Sequence, residues 1–359
     1  MSVPISAPIS VPDAEPADAP DDTALRLFEL PPEQDPATRP AVWKPTRGGG
    51  RPAARSGRRR PAPLLLAVDG NALAHRVWHA VGGDQAPEPD ATERFLTVLA
   101  RLAGSARPTA CVVGFDDARR SLRRELHPGY KAQRPAKSAP LVRFLGRLPE
   151  LLAELGLCVV TPPGLEADDV LGSAAELAHR RGVAATLVTG DRDSFALVSQ
   201  TVNVWLLGNG GSTSKVSPSW VGSRYGVNPA AYPDFAALRG DASDNLRGVR
   251  GIGEMTAARL LATYPSVAAA MADPAGLSRL LGPYLTSVLV DQHDVFLRNR
   301  EVMRIRTDLA LDLDACVCPL ARQAVAETLA RAGLEEVTER VLRGFGALGR
   351  AAWRAPLPT

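Results

Sequence analysis

The sequence has few cysteines and few aromatic residues. Only four of its 359 residues are cysteine, and 5% are aromatic. Cys316 and Cys318 are separated by one residue, which is neither a usual zinc-ligand spacing nor one that readily closes a disulfide. This cysteine usage excludes a disulfide-stabilised scaffold and favours a protein of the reducing cytoplasm.

Long hydrophobic runs are also missing. No apolar stretch reaches the roughly 18 residues that a membrane-spanning helix needs. The first residues, MSVPISAPISVPDAEP, contain neither the basic nor the apolar region of a secretory signal peptide. We therefore expect no membrane partner.

Neither sign of charge is in large excess, since 42 Lys and Arg stand against 39 Asp and Glu, a net charge of +3. Hydrophobic residues make up 45% of the chain, which is enough for a sizeable core. Residues 1–62 are rich in proline and have no sustained hydrophobic period, so we predict a disordered N-terminal tail there. A second flexible tail is predicted over residues 346–359.

Five short apolar runs, at residues 64–70, 109–117, 157–160, 185–193 and 202–207, alternate with amphipathic helical patterns. This alternation predicts an α/β fold, with a parallel twisted sheet flanked by helices over residues 63–216. From residue 217 to 345 the pattern is mostly helical, including one long helix near residues 284–303.

Acidic residues gather where the predicted strands end. Asp69, Asp116, Asp191 and Asp193 follow strands, and the first turn of a helix after another strand carries Glu166, Asp168 and Asp169. One acid there would simply favour the helix dipole. Seven acids at one edge of a parallel sheet would repel one another unless cations were bound. Oxygen ligands suit Mg²⁺ or Mn²⁺, so the pattern predicts a divalent-metal site.

Two such ions close together can stabilise both the attacking and the leaving oxygen of a phosphoryl displacement. His75 and His79 have the i, i+4 spacing of a zinc pair, but the glutamate of a metalloprotease does not lie between them. For these two histidines, packing or a DNA contact is the better interpretation.

A long basic connection, residues 117–138, follows the second predicted strand. It contains Arg119, Arg120, Arg123, Arg124, Lys131, Arg134 and Lys137 against only two acids. Connections of this length are usually functional or disordered. Above an acidic metal site this segment would guide a phosphate backbone inward, and Tyr130 is a candidate for stacking on a base. The alternative is a solvated charged loop.

A glycine-rich turn, GVRGIG at residues 248–253, lies between two predicted helices. Gly248, Gly251 and Gly253 allow backbone amides to approach a phosphate, next to the N-terminus of the following helix and beside Arg250. Such a turn binds duplex backbone without reading its sequence. Asp241 and Asp244, just before it, are placed to reach the metal site.

Together these motifs resemble the 5′-nuclease family of flap endonucleases and 5′–3′ exonucleases, including the 5′-nuclease domain of bacterial DNA polymerase I. The resemblance covers roughly residues 64–308. It runs through AVDGN, FDD, HPGYKAQR, LEADDVLG, TGDRD, GDASDN and the glycine-rich turn, with nine acids in the family's order. It implies a helical arch over the site, formed by residues 117–138, and a helix–three-turn–helix region over residues 217–345.

The resemblance also implies roles for individual residues. One metal ion would be held by Asp69, Asp116, Glu166, Asp168 and Asp169. The second would be held by Asp191, Asp193 and Asp244, with Asp241 assisting. Arg76, Lys131 and Arg134 would act on the scissile phosphate. DNA would be contacted by Arg119, Arg120, Arg123, Arg124 and Tyr130 in the arch and by Gly248, Arg250, Gly251 and Gly253 in the turn, where relatives also hold a potassium ion.

The implied function is a metal-dependent, structure-specific 5′-nuclease that acts on DNA in replication and repair. Its expected substrates are 5′ flaps, nicked or gapped duplexes and RNA-primed ends, and we expect a monomer located at the bacterial nucleoid. No polymerase motif follows, so a stand-alone nuclease is expected. Arg247 stands where relatives usually carry proline, and Met255 where many carry lysine. A PIN-type ribonuclease and a non-catalytic DNA-structure-binding protein are the alternatives.

Overall fold

A six-stranded sheet forms the centre of the computed structural model, which describes residues 63–317 and 320–346. The strands are β1 (Leu64–Asp69), β2 (Ala110–Gly114), β3 (Cys158–Val160), β4 (Ala184–Thr189), β5 (Val202–Leu207) and β6 (Thr213–Val216). Their order is β3-β2-β1-β4-β5-β6. All neighbouring pairs are parallel except β5 and β6, which are antiparallel.

Both faces of the sheet are buried, as expected for parallel strands between helices. In β1, Leu65 and Ala67 belong to the apolar cluster on one face, and Leu66 and Val68 to the cluster on the other. This confirms the predicted α/β fold. The antiparallel β6 was not predicted, because its sequence TSKV is short and polar and buries only Val216.

Helices cover each face of the sheet. They are α1 (Gly70–Ala80), α2 (Glu88–Ala106), α3 (Leu122–Leu126), α4 (Ala139–Glu154) and α5 (Ala167–Arg180). Phe95 of α2 and Phe144 of α4 lie in the cluster on one face, whereas Val170 of α5 lies in the other. The short α3 lies within the arch.

The helical region follows β6. It contains α6 (Pro218–Tyr225), α7 (Tyr232–Arg239), α8 (Glu254–Thr263), α9 (Val267–Met271), α10 (Pro274–Leu281), α11 (Pro283–Asp291) and α12 (His293–Val302). A two-stranded pair, β7 (Gly240–Asp241) and β8 (Leu246–Arg247), stands between α7 and the glycine-rich turn. The single long helix predicted near residues 284–303 is wrong: α11 ends at Asp291, and the backbone of the next residue, Gln292, leaves the helical region at φ −108°.

Buried polar contacts tie the helical region together. Asn299 of α12 is fully buried, and its Nδ2 donates to the carbonyl oxygens of Ala237 (3.0 Å) and Arg247 (2.8 Å). These bonds fix α12 against α7 and β8. The backbone of the glycine-rich turn is therefore joined to a firmly packed element.

The last two helices, α13 (Arg322–Arg331) and α14 (Thr338–Phe345), return to the α/β region although they follow the helical region in sequence. Val325, Val341 and Phe345 are buried in the same cluster as Phe95. No helix within the described residues is both long and apolar enough to cross a bilayer. The predicted tails lie outside the described residues, except for Gly346.

Candidate metal and nucleic-acid site

The first strand-end acid, Asp69, meets Asp168 through a shared threonine. Thr189, the last residue of β4, donates its hydroxyl to Oδ2 of Asp69 at 2.9 Å. The same hydroxyl lies 3.5 Å from Oδ1 of Asp168, in the first turn of α5. Asp69 also caps α1 by accepting from the backbone N–H of Ala72 (2.8 Å). Acids from two distant segments therefore converge at the carboxyl ends of neighbouring strands.

Asp116 and Glu166 extend this group toward the edge of the sheet. Oδ1 of Asp116 accepts from the backbone N–H of Ala167 at the start of α5 (2.9 Å). The backbone N–H of Asp116 is held by Oδ1 of Asn71 (3.0 Å). Glu166, immediately before α5, points at the base of the arch, where Lys131 donates to its Oε2 at 3.0 Å.

Asp169 differs from its neighbours. It is fully buried, and Arg123 of α3 donates to both of its carboxylate oxygens, at 2.8 and 2.9 Å. Its oxygens also accept from the backbone N–H groups of Glu166 and Arg306. A carboxylate occupied in this way is poorly placed to ligate a metal, so the ligand role expected for Asp169 is not supported. The same pair removes Arg123 from the surface that would meet DNA.

The side chains at the base of the arch contact the acids instead of solvent. Tyr130 is 4% exposed and donates its hydroxyl to Oε2 of Glu166 at 3.1 Å. The base-stacking role expected for Tyr130 is therefore wrong, because its ring is buried inside the protein. Lys131 adopts the unusual positive φ of 54°, and its Nζ lies 3.0 Å from Oε2 of Glu166. Both residues instead order the arch above the acids.

A second group of acids lies just after β4 and in the β7–β8 loop. Oδ1 of Asp191 accepts from the backbone N–H of Asp193 at 2.8 Å. Asp244 is buried, and Arg134 of the arch donates to its Oδ1 at 2.7 Å. The side chain of Asp241 is turned toward Ser243, whose backbone N–H and hydroxyl both donate to it. We call the eight acids other than Asp169 the acidic cluster: Asp69, Asp116, Glu166, Asp168, Asp191, Asp193, Asp241 and Asp244.

Burial and mutual repulsion perturb the acidic cluster. Burial, reinforced by Asp116, raises the pKa of Asp69 to about 7. Burial and Asp191 raise the pKa values of Asp168 and Asp193 well above their usual range. Burial also raises the pKa of Glu166, but the positive charges of Lys131 and Arg123 outweigh it and lower that pKa. Without a bound cation, part of the cluster therefore stays protonated at pH values where free carboxyl groups are ionised.

The donor chemistry of the acidic cluster fits hard divalent cations. Its side chains offer only carboxylate oxygens, the ligands that Mg²⁺ and Mn²⁺ prefer. In the described part of the chain, no three His, Cys, Asp or Glu side chains converge into a preformed ligand set. Mg²⁺ does not require one, since it usually keeps several waters and binds through one or two carboxylates.

These shifts make stability depend on pH in a predictable direction. The folded protein holds protons on Asp69 and on Asp244, whose pKa burial raises to about 6, at pH values where the unfolded chain has lost them. We therefore expect the free energy of unfolding of the metal-free protein to fall as the pH rises from about 4 to about 7. Glu166, with its lowered pKa, acts in the opposite sense only at more acidic pH.

Thermal unfolding in EDTA and in Mg²⁺ across this range measures the effect. Mg²⁺ at about 100 times its Kd should add about 2.7 kcal/mol to the free energy of unfolding. The gain should be fullest at the alkaline end of the range, where the carboxylates are ionised. Asp69→Asn should flatten the profile recorded in EDTA. Melting temperatures in EDTA that rise steadily from acid to neutral pH would contradict this expectation.

Arg76 lies on α1 beside the acids. Its Nη1 donates to Oδ1 of Asn209 (3.3 Å), and its Nη2 passes close to Gly190, next to Asp191. Burial lowers the pKa of Arg76. Within the arch, Arg119 and Arg124 are exposed, whereas Arg120 pairs with Glu125 at 2.6 Å. The exposed arginines remain available to a phosphate backbone.

The glycine-rich turn presents its backbone to solvent. Arg250, Gly251 and Gly253 are exposed, Gly248 is half-buried, and Gly251 has a φ of 78° that favours glycine. Gly253 is the residue before α8 and provides no side-chain cap. No atom lies within 4 Å of where its Cβ would stand. The free amide groups of this helix end can therefore face an anion.

Sequence reasoning missed two residues that organise the site. Thr189 joins Asp69 to Asp168, and Asn71 orients the backbone of Asp116. Both are polar residues separated by one glycine from a strand-end acid, in VTGD and VDGN. That position was the available signal, but nothing in one sequence indicates which acid each side chain meets. His75 and His79 have ring centroids 6.5 Å apart, and no third ligand joins them among the residues that the structure describes.

Comparisons with known proteins agree with this geometry. Residues 64–226 match the 5′–3′ exonuclease N-terminal resolvase-like domain, and residues 227–325 match the 5′–3′ exonuclease C-terminal SAM fold. DNA polymerase I of Mycobacterium tuberculosis is 33% identical over 321 residues, covering 81% of this chain and 34% of the polymerase. The thermostable DNA polymerase I of Thermus filiformis is 37% identical over 309 residues, covering 83% and 35%. The chain thus spans about a third of the length of these polymerases.

Among solved structures, the fold resembles that of the bacteriophage T5 flap endonuclease in complex with DNA and metal ions. The TM-score is 0.56 at 20% identity, and the match covers 78% of this chain and 98% of the phage enzyme. Both regions of the family are matched in order and without a gap between them. The chain therefore belongs to the 5′–3′ exonuclease family.

Proposed function

We propose that this chain is a divalent-metal-dependent, structure-specific 5′-nuclease that hydrolyses DNA phosphodiesters and leaves a 5′-phosphate and a 3′-hydroxyl. One observation carries the proposal: buried and half-buried carboxylates at the ends of β1 and β4, at the start of α5 and in the β7–β8 loop meet beneath a basic arch. Its substrates are 5′ flaps, nicked or gapped duplexes and RNA-primed ends, as they arise in replication and repair.

The acidic cluster is the proposed metal-binding region. Asp69, Asp116, Glu166 and Asp168 would hold one ion, and Asp191, Asp193 and Asp244, with Asp241 assisting, the second. Mg²⁺ or Mn²⁺ bound there would supply positive charge to stabilise the attacking and leaving oxygens of the phosphate. Asp169 acts differently, by holding Arg123 and through it the arch. A potassium ion at the glycine-rich turn is part of the same proposal.

The residues of the arch base hold positive charge at the reacting phosphate. Lys131 stays protonated, because Glu166 and Asp244 raise its pKa although burial lowers it. Arg134 is half exposed and anchored on Asp244, so its guanidinium stands between the acids and solvent. Together with Arg76 on α1, these groups orient a phosphate and offset its repulsion from the carboxylates.

Duplex binding is assigned to surfaces that read no sequence. The exposed turn would contact the backbone through Arg250 and the amides of Gly251 and Gly253, and the exposed Arg119 and Arg124 would attract the single strand near the arch. Such contacts select a DNA shape rather than a base sequence. This matches a nuclease that acts at junctions.

The direct test is cleavage of a labelled 5′-flap duplex in Mg²⁺, with product sizes mapped to the junction. We expect cleavage by the native protein and by Asp90→Ala, which removes an exposed acid of α2, and none by Asp191→Ala. Uncut DNA in both Mg²⁺ and Mn²⁺ refutes the proposal, as does an active Asp191→Ala. Preferential cutting of an RNA hairpin would point to a ribonuclease, and flap binding without cutting to a structure-binding protein.

A further inference from the structure

An open cleft of about 540 Å³ lies between the β7–β8 pair and the beginning of the glycine-rich turn. Residues 239, 240, 242 and 245–248 line it. Asn245, on its wall, donates to the carbonyl of Gly129 in the arch base at 2.7 Å. The cleft therefore occupies the surface between the arch and the turn. Of its lining residues, only Gly248 was given a role above, as part of the turn.

Arg247 stands on one side of the cleft with its backbone fixed and its side chain exposed. Its carbonyl oxygen accepts from the buried Asn299 at 2.8 Å. Across the strand pair it faces Gly240, which offers no side chain. Among the described residues, no carboxylate forms an ion pair with Arg247. Its exposed side chain therefore stands at the cleft without an ion-pair partner among the described residues.

Arg239 supplies a second guanidinium at the end of α7. Its Nε donates to the carbonyl of Gly240 at 3.1 Å, and its guanidinium lies 5.4 Å from the ring centroid of Phe235. These contacts orient the side chain. In the described part of the chain its terminal nitrogens form no direct ion pair, although Asp193 of the acidic cluster lies within their electrostatic reach. A guanidinium oriented in this way is suited to bidentate contact with a phosphate.

Two glycines of the lining, Gly240 and Gly248, allow the backbone segments beside the cleft to approach closely. Gly240 has a φ of 79°, and a Cβ there would lie 2.5 Å from the carbonyl oxygen of Leu246. Asp241, the adjacent acid, does not line the cleft, and its Oδ1 accepts from Ser243 at 2.7 and 2.6 Å. An anion entering the cleft thus meets two arginines and no carboxylate on its lining.

We infer that this cleft binds a backbone phosphate of the nucleic acid, on the path between the acidic cluster and the glycine-rich turn. Arg239 and Arg247 are its positive groups, and the contact is independent of base sequence. The inference rests on the proposed action on DNA. It adds a phosphate subsite, so that the strand is held at a third place besides the arch and the turn.

The test is the salt dependence of DNA binding, measured by fluorescence anisotropy with a labelled 5′-flap duplex in Ca²⁺. Each phosphate contact that is lost should reduce the slope of log affinity against log salt by about 0.9. We expect this reduction for Arg247→Ala and for Arg239→Ala, equally on two duplexes of unrelated sequence. Arg247→Lys should keep the native slope, since its charge is retained.

The matched control is Arg107→Ala, which removes an exposed arginine at the opposite end of the strands from the acids. Slopes of Arg247→Ala and Arg239→Ala equal to that of Arg107→Ala would overturn the inference. Cleavage of the same duplex in Mg²⁺ separates the two proposals. Reduced slopes without any cleavage would support the phosphate-binding cleft and refute the nuclease. Native cleavage with unchanged slopes would support the nuclease and refute the cleft.

Discussion

Replacing Asp168 with asparagine is expected to lower the rate of flap cleavage by about 10³-fold or more while the protein still binds the flap. Asp168 stands at the centre of the acidic cluster, near the hydroxyl shared with Asp69 and within the electrostatic reach of Asp191. Loss of about 4 kcal/mol of charge stabilisation in the transition state corresponds to a rate lower by about 10³-fold. Single-turnover cleavage in Mg²⁺ and anisotropy in Ca²⁺ measure the two quantities.

The same substitution should stabilise the metal-free fold. Burial makes the ionised form of Asp168 unfavourable, and a neutral amide removes its repulsion from Asp191 and Asp69. Thermal unfolding in EDTA near pH 8 should therefore give a higher melting temperature for Asp168→Asn than for the native protein. A variant that cleaves at the native rate would remove Asp168 from the proposed site, whatever its stability.

Replacing Arg123 with alanine is expected to lower the free energy of unfolding by about 3–5 kcal/mol, because it leaves the carboxylate of Asp169 buried without its partner. Arg123 also donates to the carbonyl oxygens of Val302 and Arg304. Its loss thus releases α3 from α5 and from the segment after α12. Urea or guanidinium unfolding measures the change.

Arg120→Ala is the matched control, since Arg120 lies in the same arch but pairs with Glu125 at the surface. An exposed pair of this kind contributes little, so we expect native stability. Arg123→Ala combined with Asp169→Asn should recover part of the loss, because no buried charge is left unpaired. Native stability of Arg123→Ala alone would show that Asp169 is not held as the structure indicates.

The adjacent residues Asp168 and Asp169 show how far the sequence predicts the site. The sheet and the convergence of acids at its edge followed from apolar runs that end in Asp69, Asp116 and Asp191, because parallel strands bring their carboxyl ends together. Sequence spacing did not separate the two neighbouring aspartates. Successive residues of a helix point about 100° apart, and only the fold places Arg123, 46 residues earlier, against the second of them.

Long-range packing also explains the other differences. Tyr130 follows a basic run, which favours a surface role, yet it is buried because the arch base closes on Glu166. The break between α11 and α12 has no glycine or proline to announce it, since Gln292 is polar and compatible with a helix. Its side chain instead accepts from the backbone N–H of Arg250 in the turn at 2.9 Å. A single sequence does not contain that pairing.

The return of α13 and α14 to the α/β region has a consequence for any shortened form of this protein. The family match ends at residue 325, inside α13, whereas Val341 and Phe345 still cover apolar side chains of the sheet region. A fragment trimmed to the matched residues would keep the whole acidic cluster and the whole turn, yet it would expose apolar surface to water. We would expect such a fragment to aggregate during purification although its acidic cluster is intact.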